Sequence, residues 1–588
     1  MNKTWDLSIL YNGFDDPKYK EDVTALDEAI SECIAIKDTA ESLAPEEFLV
    51  KFIKMQTSVS ELASKLFIYA NLRYSANTAD GEAASTMGVL MGKMSLLAGP
   101  GAALNKVVAK IENLSEIIAN NTLLSEHEYF LTNIVKNSKH LLSDEEEALF
   151  AEMDISGATA WSDLQSSLTS TLKVNYRGGD ITLSSVRNLA YDPDASVRRD
   201  AYEAELKSYE KIDTATAFAL NSIKLQVINE AKRRGYLSPL DKALDNSAMK
   251  RETLEALLTA MREYMPAFRK YLRAKARLLG HEGGLPWYDL FAPIGKSERK
   301  FSTEDARDYL LGIFGKFDAE LHDMVKEAFD NSWIDFYPRE GKVGGAFDCA
   351  VHSAGQSRVL TNFDGSFSDV VTLAHELGHS FHDRQVYANA PLNREYSMPV
   401  AETASTFNEV LVVSTAISEC SDADEKLSLI ESQLLDATQV IVDIYSRYLF
   451  ESAVFERRSG EFLTADKLSE IMLDAQREAY GDGLDPEYLH KYMWLCKGHY
   501  YSGGLSFYNY PYAFGALFAR GLYAKYLREG KSFVDTYKKL LSATGTNTVE
   551  DAAKIAGVDL TDVNFWRSGL ESMREEIDEF CTLAAAKQ

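Results

Sequence analysis

The chain contains His375-Glu376-Leu377-Gly378-His379, a five-residue segment able both to hold a catalytic metal ion and to activate water on it. On a helix, positions i and i+4 share a face, so His375 and His379 aim two imidazoles at one Zn²⁺, with Glu376 beside them as general base. Catalytic zinc usually takes three protein ligands and keeps a fourth position open, so a third ligand is expected downstream. Glu402 is the candidate, in Ser397-Met398-Pro399-Val400-Ala401-Glu402, where Ser397 caps and Pro399 fits a first helical turn. Glu409, seven residues on and on the same helix face, is placed to accept the spare N–H of a ligand histidine.

Two helices must carry these groups. The first starts at Ser366 with Asp369 as a capping pair and buries the stripe Val370, Ala374, Leu377 and Phe381. Gly378 inside it costs about 1 kcal/mol relative to alanine, so another backbone or a substrate is expected to pass close to that turn. The second helix, with Glu402 early in it, turns Val400, Ala404, Phe407 and Leu411 inward. Just ahead of both, Gly344-Gly345-Ala346-Phe347 through His352 and Arg358 through Phe363 read as two strands with a loop between them. Such an edge strand binds an extended peptide by strand addition, and Gly344 and Gly345 allow close approach of a second backbone. His352 and His382 are read as structural histidines.

The run Thr372-Leu373-Ala374-His375-Glu376-Leu377-Gly378-His379-Ser380-Phe381-His382, followed by Val400 to Glu409, resembles the oligoendopeptidase F branch of the thimet-oligopeptidase (M3) zinc metallopeptidases. The similarity extends over nearly the whole chain. It includes Trp5-Asp6-Leu7, Tyr11 to Pro17, Ser156-Gly157 with Trp161, Tyr288-Asp289-Leu290, Arg339 to Lys342, and Phe507 to Gly515. The resemblance implies a mainly α fold: a zincin-like catalytic domain with a small β-sheet, and two helical lobes enclosing a deep substrate channel. It further implies cytoplasmic cleavage of internal bonds in short unfolded peptides, with one Zn²⁺ per chain. By position, His375, His379 and Glu402 match the zinc ligands, and Glu376 the general base. His499 and a tyrosine of the Tyr508 to Tyr512 segment match groups that stabilise the transition state.

The chemistry agrees with that last assignment, since a developing oxyanion needs a preplaced phenol or imidazole N–H donor. In an extended stretch Tyr508, Tyr510 and Tyr512 alternate onto one side, and Pro511 serves at the start of a helix over Ala513 to Tyr526. Tyr512, in the first turn of that helix, is the favoured donor. Ser502-Gly503-Gly504 upstream reads as a hinge-like loop able to close over substrate.

A chain of 588 residues, 46% hydrophobic and 26% charged, is long enough for more than one lobe and has an ordinary globular composition. Local pattern separates an N-terminal helical domain with a β-hairpin, residues 1–190, from a catalytic metallopeptidase domain, residues 191–588. The resemblance adds that the lobes interleave. The hairpin is read from Leu172 to Tyr176 and Asp180 to Leu183 around Gly178-Gly179, and Ser143 with Glu146 caps a further helix. A net charge of −27 argues against nucleic acid as partner. Five scattered cysteines indicate neither a disulfide framework nor a thiolate metal site and suit a reducing cytoplasm. No signal peptide or membrane span is read, so a soluble monomer or small homo-oligomer is expected. Two alternatives stand beside the endopeptidase reading: a zinc carboxypeptidase of similar helical architecture, and a non-catalytic peptide-binding protein. The tyrosine segment argues against the first and an intact Glu376 against the second.

Overall fold

The structure is a computed structural model that describes residues 3–295 and 299–587. It is 71% helical with a small sheet, the fold class expected from the sequence. The apolar stripes of the helices meet in one large core running from Ala158 to Ala584. Two smaller clusters draw mainly on the first 131 residues. One of these also takes in Val351 and Leu360, so N-terminal helices pack directly on the sheet beside the histidine motif. The N-terminal Trp-Asp-Leu segment is tied there too. Arg358 Nε donates to the Asp6 carbonyl at 2.7 Å, and the Trp5 ring lies 6.2 Å from that of Phe347.

An early hairpin pairs β1 (Lys173–Tyr176) with β2 (Gly179–Thr182), turning at Arg177 and Gly178. Both turn residues have positive φ, 49° and 85°, as a two-residue hairpin turn of the right twist requires. The second sheet has the order β3-β5-β4, from β3 (Ile334–Asp335), β4 (Phe347–Val351) and β5 (Gln356–Leu360). β4 and β5 are antiparallel, from Phe347 opposite Leu360 to Val351 opposite Gln356. The sequence showed two strands; the third, β3, is only two residues long, too short to leave a periodic signal. The strands are also shorter than expected: Gly344, Gly345 and Ala346 lie before β4, not in it, and Gly345 takes φ 79°. Asn362 Nδ2 holds that turn by donating to the carbonyls of Val343 and Gly345, at 3.0 and 2.8 Å.

Three long helices brace the centre. Arg251–Leu278 and Val563–Ala585 pack along one another, and Tyr510–Glu529 packs against the latter. One helical stretch, Gly81–Ala109, has mean hydropathy 1.3 and is long and apolar enough to cross a membrane. It consists of two helices, Gly81–Ser95 and Ala98–Ala109, rich in glycine and alanine. It carries Lys93 and Lys106, which pair with Asp27 and Asp144. The five cysteines are free thiols.

Candidate active site

The helix Phe367–Val386 carries His375, Glu376 and His379. It begins as the sequence predicts, with reciprocal Ser366 and Asp369 bonds forming a capping box. Val370, Ala374, Leu377 and Phe381 are all buried beneath it. Gly378 leaves room for a backbone: a Cβ there would stand 2.5 Å from Ser405 Cα and 2.6 Å from the Ala404 carbonyl oxygen. The neighbour is the helix Thr403–Glu419, not substrate. That close crossing brings Glu402 and Glu409 over the two histidines. Replacing Gly378 by Ala is expected to cost about 1–3 kcal/mol through the backbone overlap, more than the roughly 1 kcal/mol that alanine returns in helix propensity. The unfolding midpoint then falls, and because the same overlap spreads the donors, zinc affinity falls with it; urea melts and zinc titration check both.

Glu402 does not lie within a helix. It closes a single turn, Met398–Ala401, and opens the next helix with φ −85° and ψ 8°. Ser397 precedes that turn but its hydroxyl makes no cap bond. Pro399 has no N–H to donate to it, and the Val400 N–H donates to the Ser397 carbonyl at 3.1 Å instead. The break leaves Glu402 facing the histidine helix. Ser405 Oγ donates to Glu402 Oε2 at 2.8 Å, and a Cβ at Gly515 would stand 2.9 Å from Glu402 Cβ. Neither neighbour was read from the sequence, though Ser405 stands at the i+3 spacing that brings side chains together on a helix.

Three donor atoms converge. His375 Nε2 and His379 Nε2 are 3.2 Å apart, and Glu402 Oε2 is 3.3 Å from each. A tetrahedral ion with ligand bonds of about 2.0–2.1 Å has edges between ligands of about 3.3–3.4 Å, so the triangle fits zinc. His375, Glu376 and His379 also lie within 4.8 Å of one another. Glu402 is the better third donor because it reaches both imidazoles at tetrahedral edge length, which leaves Glu376 beside the triangle. His375 Nδ1 is 2.7 Å from Glu409 Oε1, which turns Nε2 inward. Burial opposes a charged His375, but hydrogen bonds to Glu402 and Glu409 overcome it and push its pKa up to about 10. Burial raises the Glu376 carboxyl above its usual range, against the pull of the two histidines. Glu409→Ala frees the His375 ring, and zinc affinity is expected to fall about 10- to 100-fold, measured by competition with a chelator.

The tyrosine segment behaves differently from a simple extended run. Asn509 caps the helix Tyr510–Glu529, so the alternation stops at residue 510. Tyr510 turns into the core, where its hydroxyl meets Ser247 Oγ at 3.0 Å and the Ala243 carbonyl at 3.3 Å. Tyr508 and Tyr512 stay together around His499, their ring centroids 5.1 and 6.1 Å from the imidazole. Burial and then Tyr508 raise the Tyr512 phenol, which keeps it a donor at neutral pH. Burial, with Arg447 and Lys497 nearby, lowers His499 and keeps it neutral there. The segment is pinned by a buried relay: Lys224 Nζ to Glu451 at 2.6 Å, and Asn509 Nδ2 to Glu451 at 2.9 Å. Gly503, read as part of a hinge, is packed under the N-terminal region: a Cβ there would stand 2.7 Å from that of Ala158.

β4 is an edge strand of its sheet, and both Gly344 and Gly345 face open space where a Cβ would stand. Phe347 begins the strand and packs towards Trp5. His352 stacks near Tyr387; His382 is fully buried, 2.8 Å from Thr544 Oγ1 and stacked on Tyr396. The strand is stitched to the histidine helix by a pair the sequence did not reveal. Ser380 Oγ donates to Asp348 Oδ1 at 2.6 Å, and Tyr396 donates to Asp383 Oδ1 at 2.9 Å. Burial first, and the Asp383 charge second, raise Asp348 well above the usual carboxylate range. The folded chain thus binds a proton that the unfolded chain releases near pH 4, so this carboxyl contributes stability in acid that is lost as pH rises through its raised pKa. Asp348→Asn keeps the hydrogen bonds without needing the proton. It is expected to flatten that fall and stabilise the protein at pH 8, by about 1.4 kcal/mol for each factor of ten in proton affinity removed, as read from urea melts across pH.

These observations meet in comparison with known proteins. The model for peptidase family M3 matches residues 188–572, and that for oligopeptidase F matches residues 109–173. The chain belongs to peptidase family M3. It is 26% identical over 596 residues to oligopeptidase PepF of Bacillus subtilis, covering 98% of this chain and 86% of that one. It is 25% identical to an oligoendopeptidase F homolog of Lactococcus lactis, covering 98% and 96%. The crystal structure of oligoendopeptidase-F from Enterococcus faecium superposes with a TM-score of 0.72 at 20% identity, covering 97% of this chain and 99% of that one. Family membership makes the protein a peptidase, a hydrolase with peptide substrates.

Proposed function

We propose that this protein is a zinc-dependent oligoendopeptidase that hydrolyses internal bonds of short unfolded peptides in the cytoplasm. The observation that carries the reading is the triangle of His375, His379 and Glu402 at tetrahedral edge lengths, with the buried carboxyl of Glu376 beside it. Zinc bound there supplies Lewis acidity, polarising a carbonyl oxygen and making water acidic enough to attack near neutral pH. Glu376 takes the proton of the attacking water and delivers it to the leaving amine nitrogen. Neutral His499 and the Tyr512 phenol donate to the oxyanion or to the substrate backbone beside it, and Tyr508 supports both rings. Glu409 fixes the His375 tautomer. An extended peptide adds to the free edge of β4, its backbone passing Gly344 and Gly345.

The test is mass-spectrometric mapping of products from peptides of about 5 to 20 residues, some blocked at both ends. Internal cuts in doubly blocked peptides support the proposal. Trimming confined to free C-termini moves the assignment to a carboxypeptidase, and no cleavage by zinc-loaded protein moves it to a peptide-binding protein.

A further inference from the structure

A cavity of about 640 Å³ lies between the helix that follows the early hairpin and the loop leading to His499. Its wall is cationic in a chain whose net charge is −27. Arg187, Arg198 and Lys497 line it against one acidic residue, Glu205. Arg198 is satisfied by Asp289 at 2.8 Å. Arg187 meets Glu205 only through Nε at 3.4 Å, and its terminal nitrogens make no hydrogen bond among the described residues. Lys497 Nζ makes no ion pair or hydrogen bond among the described residues, and burial lowers its pKa against the pull of the Asp443 charge. One further donor on the same wall is orphaned, the Nε2 amide of Gln439, while the buried His490 turns its Nε2 to Glu205 at 3.4 Å.

Three unpaired or underpaired donors around one cavity, those of Arg187, Lys497 and Gln439, call for an acceptor that carries negative charge. One residue of the wall also lies near the proposed chemistry. Lys497 stands two residues before His499, and its charge reaches that imidazole. Gln439 directly follows the helix Ala423–Thr438 that carries Asp436, which lies close enough to Glu409 to feel its charge.

We propose that this cavity is a carboxylate-binding subsite for the peptide substrate, with Arg187 and Lys497 as the charged donors and the Gln439 amide completing the cradle. The carboxylate comes from the peptide C-terminus or from an acidic side chain, and a peptide bound here is anchored while its backbone runs to the β4 edge. This inference rests on the peptidase reading above, because the anchored ligand is its substrate.

The test uses one N-acetylated peptide in three forms: free acid, C-terminal amide, and amide with glutamate as its last residue. Each is cut by the zinc-loaded wild type and titrated calorimetrically into the Glu376→Gln protein, which reads binding apart from turnover. The free acid is expected to bind about 10- to 100-fold more tightly than the plain amide, the range for a charge-assisted hydrogen bond. Lys497→Met and Arg187→Gln, each also in the Glu376→Gln background, are expected to erase that ratio while leaving affinity for the plain amide unchanged. Recovery of affinity by the glutamate amide assigns the site to acidic side chains; failure to recover assigns it to the C-terminus. Equal binding of all three forms, or a preference untouched by both substitutions, overturns the subsite. Absence of cleavage with the binding preference intact would instead count against the peptidase reading alone.

Discussion

Replacing Glu376 by Gln is expected to lower kcat about 10²- to 10⁴-fold while zinc stays at one ion per chain. The reason is positional. Glu376 is buried and stands beside the donor triangle, whereas Glu402 makes the third edge at 3.3 Å to both imidazoles. Glutamine keeps the size and one carbonyl oxygen, so packing and the zinc ligands are undisturbed, but it cannot accept the water proton. KM should change little, because the interaction removed is made in the transition state. Zinc content by mass spectrometry and stopped assays on one quenched peptide give both numbers from one preparation. A variant that lost zinc along with turnover would place Glu376 among the ligands and return Glu402 to a structural role.

His379→Ala is expected to lose both. Structural zinc sites bind with about 10–16 kcal/mol over four ligands, so one ligand is worth roughly 2.5–4 kcal/mol, or on the order of 10²–10³ in affinity. Alanine also leaves a hole that nothing nearby fills with a donor: Glu409 is engaged with His375 Nδ1 at 2.7 Å, and His382 is committed to Thr544 at 2.8 Å. Excess zinc should therefore restore activity only at concentrations raised by that factor. The Glu376→Gln and His379→Ala pair separates chemistry from metal binding. The first removes turnover at full occupancy, and the second removes occupancy.

The site was legible where chemistry imposes spacing inside one helix or between adjacent helices. His375, Glu376, His379, Glu402 and Glu409 sit within 35 consecutive positions, and the structure brings all five together. The Ser366 cap and the glycine gap at 378 were readable for the same reason: each is a local demand on one residue type. What sequence could not show were contacts set by packing between distant segments. Tyr510 was read with Tyr508 and Tyr512 because the alternation of a strand was carried into a helix that already begins at residue 510. Asp348 and Asp383 meet only because β4 lies on the histidine helix, and no motif marks them. Arg187 and Lys497 are 310 positions apart and share a cavity through the arrangement of the whole fold. The short parallel strand β3 is likewise a product of assembly, since two residues have no period to read.

The most direct test of the central claim is anomalous diffraction at the zinc absorption edge from crystals of the active protein. One peak per chain is predicted, about 2.0–2.2 Å from His375 Nε2, His379 Nε2 and a Glu402 carboxylate oxygen, with Glu376 uncoordinated beside it. A peak ligated by Glu376 in place of Glu402, or no peak in crystals that still cleave peptide, would contradict the account.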